Sequence, residues 1–377
     1  MKVVIAPDSY KESLSAMQVA NKIEEGFKQI FPQAEYIKVP VADGGEGTVT
    51  TMVEATDGQF IKLNVIGTLG ETIEAFWGLS QDNSTAFIEI AAASGLEQVP
   101  IEKRNPCITT TYGVGELILS ALDKGARHFI IGLGGSATND GGAGMLQALG
   151  VKLLDKNGME LGYGGAELAK LTKIDISGID KRLKDCNFEV ACDVTNPLVG
   201  PQGASAVFGP QKGATPQMVE ELDSALNHYA DIIKQYLNID VKNLPGAGAA
   251  GGLGAAFAGF LNGKLKSGIG IIIELLGLEE KIKEADLVIT GEGRIDYQSI
   301  KGKVPIGVAA TAKKYNVPVI VIAGSLGRQI EVVYDYGIDA VFSILNKCCT
   351  LSEAIEEAET NLVLTARNVA QLLKIKL

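Results

Sequence analysis

Apolar positions along this chain follow two rhythms. Near both ends, short apolar runs alternate with stretches in which apolar residues recur every three or four positions, the spacing of one helix face. Lys2–Ala6 predicts a strand, and Ala16–Ile30 a helix with Val19, Ile23 and Phe27 on one side. Tyr36–Val39 predicts the next strand and Gly47–Ala55 the next helix. The texture then changes. Phe60–Leu69, Thr72–Leu79 and Thr85–Ile90 are β-like runs split by turn residues, the pattern of hairpins. Helix Gly113–Lys124, strand His128–Leu133, helix Gly142–Leu149, strand Phe188–Cys192 and the long amphipathic helix Gln217–Leu237 follow. Towards the end the alternation becomes regular. Strands are predicted at Leu287–Thr290, Val317–Ala323 and Ala340–Ile344, and helices at Pro305–Tyr315, Glu331–Tyr336 and Leu351–Leu373.

Strands that alternate with helices argue for a parallel sheet covered on both faces, hence an α/β protein. The two ends share this texture and the middle does not. The expected architecture is a Rossmann-like parallel-sheet domain formed by both chain ends, residues 1–57 and 265–377, with a second α/β domain inserted over 58–264. A length of 377 residues fits two domains at roughly 100–200 residues each.

Composition narrows the function. The formal charge is −11, so a duplex-binding basic face is not expected and nucleic acid is a poor partner. Any anionic ligand has to be held by local donors. The 45 glycines are about 12% of the chain against a usual ~7%, and they cluster beside apolar runs, where backbone can approach a ligand closely. Five cysteines (107, 186, 192, 348 and 349), without a CxxC, and two histidines, His128 and His228, suggest neither a disulfide framework nor a zinc site. The Ala/Gly-rich stretch 246–263 is too weakly hydrophobic to span a membrane. The opening residues read as a strand rather than a leader, so a cytoplasmic protein with no membrane partner is expected.

Four segments carry candidate chemistry, each after a predicted strand, where ligands bind in open α/β sheets. Pro7–Ala16 holds Asp8, Ser9 and Lys11, a possible proton acceptor or metal ligand beside a phosphate-binding cation, with Ser13 or Ser15 capping the helix. Val41–Thr48 sets Asp43 and Glu46 among glycines, suited to a hard cation such as Mg²⁺. Gly132–Gly142 offers backbone N–H groups of Gly134, Gly135 and Ser136 for an anion, with Asn139 and Asp140 as metal or hydroxyl ligands. Thr290–Gln298 carries Glu292, Arg294 and Asp296, followed by Lys301 and Lys303. Asp193, after Cys192, is a further acid at a strand end.

There is no Walker A motif, no protein-kinase signature and no nucleophile elbow. Phosphoryl transfer instead needs what is present: Gly-rich loops, cations, carboxylates for Mg²⁺ and one carboxylate to take a hydroxyl proton. A small-molecule kinase therefore leads. Gly132-x-Gly134-x-x-Ala137, with Asp155 beyond, also fits a dinucleotide fingerprint, which leaves a nicotinamide-dependent oxidoreductase of a small hydroxy acid as the alternative. A non-catalytic sensor of a phosphorylated metabolite is a third class, which the density of acids disfavours.

PDSYKESLSA, ADGGEGT, GGSATNDGG and GEGRIDYQ, in this order, make the chain resemble the bacterial type I glycerate kinase family over nearly its whole length. Tyr10 and Glu12 stand where Phe and Gly are common in that family, so the Glu12 side chain should point away from an anion site. The resemblance implies ATP- and Mg²⁺-dependent phosphorylation of D-glycerate, with 2-phosphoglycerate favoured over 3-phosphoglycerate as product and the active site in the cleft between domains. The strand-end positions then suggest roles. Asp43 and Asp296 are candidate bases, and Lys11 is a catalytic cation. Asp8, Ser9 and Arg294 bind substrate. Gly134, Gly135, Ser136, Asn139 and Lys303 bind the nucleotide, and Asp43, Glu46 and Asp193 the metal. Oligomeric state is not legible.

Overall fold

The computed structural model describes residues 1–300 and 302–375; Lys301 lies outside the described residues. The chain divides into two compact units. One comprises Met1–Asp43, Thr50–Thr56 and Ser267–Leu377, the other Gly44–Val49 and Asp57–Lys266.

In the first unit, strands Lys2–Ile5, Glu35–Lys38, Leu287–Thr290, Val319–Ala323 and Ala340–Ser343 form one sheet, with every neighbouring pair parallel. Counted along the chain within this unit, the strand order is 2-1-3-4-5. The order reverses between Lys2–Ile5 and Leu287–Thr290, and a crevice opens outside their carboxyl ends at such a point. The three central strands, Lys2–Ile5, Leu287–Thr290 and Val319–Ala323, are rich in Val and Ile, as burial on both faces requires, whereas the edge strands Glu35–Lys38 and Ala340–Ser343 are only partly buried. Helix Ala16–Lys28 opens on a capping box in which Ser15 accepts from the Gln18 N–H while Gln18 reaches back. Its apolar stripe, Val19, Ile23 and Phe27, is fully buried with Leu362 and Val369 of helix Ala358–Leu373. Gly26 permits this approach, since a Cβ there would lie 2.5 Å from the Val363 carbonyl oxygen.

Three local expectations are corrected. The closing helix is two, Leu351–Glu356 and Ala358–Leu373, because Glu357 leaves helical geometry at φ −92, ψ 1. Ile330–Tyr336 winds as a 3₁₀ helix rather than an α-helix. The Ala/Gly-rich stretch, to which periodicity assigned no element, forms helix Ala249–Phe260. That helix enters through left-handed Ala250, Gly251 and Gly252, and a Cβ on Gly251 would sit 2.0 Å from the Thr138 carbonyl oxygen.

In the second unit, strands run in the order Lys264–Lys266, Asn187–Ala191, His128–Gly132, Thr85–Glu89, Thr72–Leu79, Gln59–Ile66. The first four are parallel to one another and the last two form an antiparallel hairpin. Trp77, Phe129, Phe188 and Phe257 fill the core, with the Phe129 and Phe188 rings stacked at 4.7 Å. Among the described residues no helix is long and apolar enough to cross a membrane.

Candidate active site

The first unit concentrates its acids at the strand-order reversal. Asp8 follows Lys2–Ile5, and its backbone N–H donates to the Gly291 carbonyl at 2.8 Å, extending the pairing with the neighbouring strand. A Cβ on Gly291 would meet the Ile322 carbonyl oxygen at 2.0 Å, so glycine is required for the chain to turn there. The Asp8 carboxylate accepts from the Ser9 N–H and hydroxyl at 2.7 and 3.3 Å. Burial, then the negative charge of Asp43, pushes the Asp8 carboxyl from 3.8 up to about 7; Glu292 adds to this and Lys11 opposes it. Glu292 is buried and accepts from the Ser299 hydroxyl at 2.6 Å and from the Lys303 ammonium at 2.9 Å. Burial and Asp43 raise its carboxyl, and Ser299 and Lys303 restrain it. Asp8, Ser9, Lys11, Asp43, Glu292 and Lys303 thus form one electrostatic group.

Arg294 and Asp296 lie on the following turn. Arg294 is exposed and its Nε is 3.3 Å from Asp296 Oδ2, while Asp296 Oδ1 accepts from the Gln298 N–H. Tyr10 is buried and donates to the Ile322 carbonyl at 2.7 Å. Glu12 is exposed at φ +63, a left-handed conformation that glycine adopts without strain. Ser15, rather than Ser13, is the helix cap.

The second unit carries the other Gly-rich loops along the carboxyl ends of its parallel strands. Gly132 is needed because a Cβ would lie 2.6 Å from the Gly44 carbonyl oxygen, and Gly45 lies alongside Gly134. Gly134 and Gly135 are exposed, and Glu46 and Asp193 are exposed acids of the same unit. Ser136 is buried to 7% exposure, and its hydroxyl accepts at 2.9 Å from the Lys212 ammonium, which also donates to the Thr138 carbonyl at 2.7 Å. Lys212 is 1% exposed, and its burial brings its pKa down to about 7 against the pull of Asp140. Asn139 is fully buried and donates to the Ser205 hydroxyl, turned into the core rather than to the surface. Asp140 binds the backbone N–H groups of Thr111, Gly142 and Gly144 and so fixes the start of helix Ala143–Ala148.

Residues 3–374 match the Glycerate kinase family. The chain is 63% identical to Glycerate 2-kinase of Escherichia coli, covering 100% of this chain and 98% of that protein. It is 56% identical to Glycerate kinase of Haemophilus influenzae, covering all of both. A crystal structure from Salmonella typhimurium LT2, provisionally named glycerate kinase 2, superposes with a TM-score of 0.93 at 60% identity, covering 99% of this chain and 98% of that one.

The chain belongs to the glycerate kinase family. It is therefore an enzyme, a phosphotransferase with an alcohol group as acceptor. The dinucleotide alternative is not favoured, and the geometry of a glycerate kinase explains why its fingerprint misleads. After Gly134-x-x-Ala137 the chain continues as loop up to helix Ala143–Ala148. The next strand, Lys152–Leu154, pairs antiparallel with Lys173–Asp175 in a separate sheet, and the parallel neighbour Asn187–Ala191 comes only after that excursion, so the compact βαβ unit of about 30 residues that the fingerprint needs is missing. Asp155 is not poised for a ribose; it caps a turn, accepting from Asn157 and Met159 N–H groups. Sequence reasoning also missed Lys212, because a lysine in Gly-Pro-Gln-Lys-Gly carries no sign that it will be buried.

Among the described residues no three His, Cys, Asp or Glu side chains converge as a ready metal cage. Mg²⁺ needs no such cage, since it binds through one or two carboxylates together with phosphates and water. The mutual repulsion recorded in the raised carboxyls of Asp8 and Glu292, each partly caused by Asp43, is relieved by a cation. The acids of the first unit fit such an ion.

Proposed function

We propose that this enzyme, as a type I family member in the cytoplasm, uses ATP and Mg²⁺ to phosphorylate D-glycerate, with 2-phosphoglycerate as product. The single observation that carries the reading is the group of Asp8, Asp43 and Glu292 with Lys11 and Lys303 at the strand-order reversal. The 2-position is favoured by the Escherichia coli relative, whose name specifies a 2-kinase.

In the first unit Asp43 is the base that takes the proton from the reacting hydroxyl. That oxygen then forms the new bond to phosphorus as the bond to the leaving ADP oxygen breaks. Asp296 is the other candidate base, on the following turn, where its carboxylate accepts from Gln298 and pairs with Arg294; Asp43 is preferred because it acts on both Asp8 and Glu292, within the charged group at the strand-order reversal. Arg294 meets the glycerate carboxylate, with Asp8 and Ser9 orienting its hydroxyls. Lys11 and Lys303 meet phosphate oxygens. Asp8 and Asp43 would hold Mg²⁺, which supplies charge neutralisation on the phosphates when bound. In the second unit the exposed backbone of Gly134 and Gly135, with Ser136, suits a phosphate oxygen; buried Asn139 supports that loop. Glu46 and Asp193 are the acids there to test for metal dependence.

The test is ADP release by purified protein with ATP and Mg²⁺, with D-glycerate, with L-glycerate, and without acceptor. D-glycerate-dependent release abolished by EDTA, with phosphorus NMR showing the 2-phosphate, is the expected result. Folded protein without glycerate dependence refutes it.

A further inference from the structure

A cavity of about 220 Å³ lies in the first unit and shares Lys11 with the charged group. Its floor is made by the loops after four parallel strands, through Tyr10, Gly293, Ser325 and Ile344. Helix Leu351–Glu356 and the start of the next helix cover it with Ala354, Ile355 and Ala358. Most of the wall is apolar side chain. Leu351, at its edge, is 74% exposed, a large apolar surface with no cover. Among these walls the Ser13 hydroxyl is buried and has no hydrogen-bond partner. A buried hydroxyl without a partner is unfavourable, so it points to a polar atom that arrives with a ligand. Lys11 lies on the same wall, next to Asp8.

We propose that this cavity holds the adenine ring of the nucleotide; the proposal rests on ATP being the phosphoryl donor. Of the two reactants, glycerate is small, charged and polar throughout, and an apolar wall would strip its water without replacing those hydrogen bonds. The base is flat and apolar on both faces and polar only at its rim, the chemistry such a cavity takes. The volume falls below the ~300 Å³ at which whole-ligand pockets begin, which suits one ring system with ribose and phosphates outside. Ser13 meets a rim atom of the ring. The side of the cavity carrying Lys11 is where the phosphate chain leaves, towards Asp8 and Asp43.

Ala354→Trp fills the cavity from a half-buried position on helix Leu351–Glu356, and Ser13→Ala removes only the unpartnered hydroxyl. Steady-state kinetics on both variants, with calorimetric titration of adenosine, which has no phosphates, test the assignment. Ala354→Trp is expected to raise KM for ATP about tenfold or more, to move KM for glycerate less than about twofold, and to abolish adenosine binding. Inhibition by inorganic tripolyphosphate should be unchanged. Ser13→Ala should lower kcat/KM for ATP relative to CTP by about fivefold. ATP KM within about twofold of wild type in Ala354→Trp, or an equal rise in the glycerate KM, overturns the proposal. Wild type that binds adenosine and does not phosphorylate glycerate refutes the kinase reading and leaves the base site standing. Wild type that phosphorylates glycerate while Ala354→Trp binds adenosine normally does the reverse.

Discussion

Asp8→Asn should make this protein more stable and less active, and the gain should depend on pH. The carboxyl ordinarily loses its proton near 3.8, and in the folded chain it does so at about 7, because burial and then Asp43 disfavour the charge. Between those values the folded state keeps a proton that the unfolded state has released. Stability therefore falls as pH rises from about 4 to about 7 and levels off above that. At full burial the burden would be about 4 kcal/mol; Asp8 retains some solvent contact, and we take about 2 kcal/mol. Asn keeps the oxygen that accepts from the Ser9 N–H and removes the charge. In EDTA without nucleotide, thermal unfolding followed by circular dichroism should give Asp8→Asn an apparent Tm about 4–8 °C above wild type near pH 8, with the gap closing near pH 4. The same variant should lose tenfold or more in kcat/KM, on the order of 1.4 kcal/mol of barrier. A Tm gain that is absent, or equal at both pH values, refutes the electrostatic argument. Gained stability with full activity would mean that the charge is carried at a cost for no catalytic return.

Three further outcomes follow from packing and charge. Gly26→Ala forces a methyl against the Val363 carbonyl and should destabilise the first unit by about 1–3 kcal/mol in a denaturant titration; an unchanged midpoint would show that the two helices can part freely. Lys212→Met leaves the Thr138 carbonyl and the Ser136 hydroxyl without their buried donor and should cost about 1–3 kcal/mol in the same assay, where an unchanged midpoint would refute that role. Glu12→Gly relieves a left-handed glutamate at φ +63 and should stabilise by up to about 1 kcal/mol, a loss of stability counting against strain there.

The α/β class was legible because its signal is redundant. The central parallel strands, such as Lys2–Ile5 and Val319–Ala323, carry near-continuous apolar runs, and helices such as Ala16–Lys28 and Val304–Lys313 alternate with them. The hairpin Gln59–Ile66 with Thr72–Leu79 showed equally well, its turn residues marking the reversal. What periodicity could not see was local. Glu357 ends one helix and begins another through a small change in ψ at a residue that favours helix. Helix Ala249–Phe260 has no polar face to create a period, since nearly all of it is buried.

The site shows a different limit. Asp8, Asp43 and Glu292 each stood out by position after a strand, Asp43 and Glu292 also beside glycine, but which acids would face one another depends on strand order. Only the reversal at Lys2–Ile5 and Leu287–Thr290 joins residues from opposite ends of the chain into one charged group. Asn139 and Asp140 show the converse: both sit in a Gly-rich loop that reads as ligand-binding, and both are buried, Asn139 donating to the Ser205 hydroxyl and Asp140 accepting from Thr111. A motif therefore marks a loop whose shape matters without telling which of its side chains face the ligand, and burial makes that division.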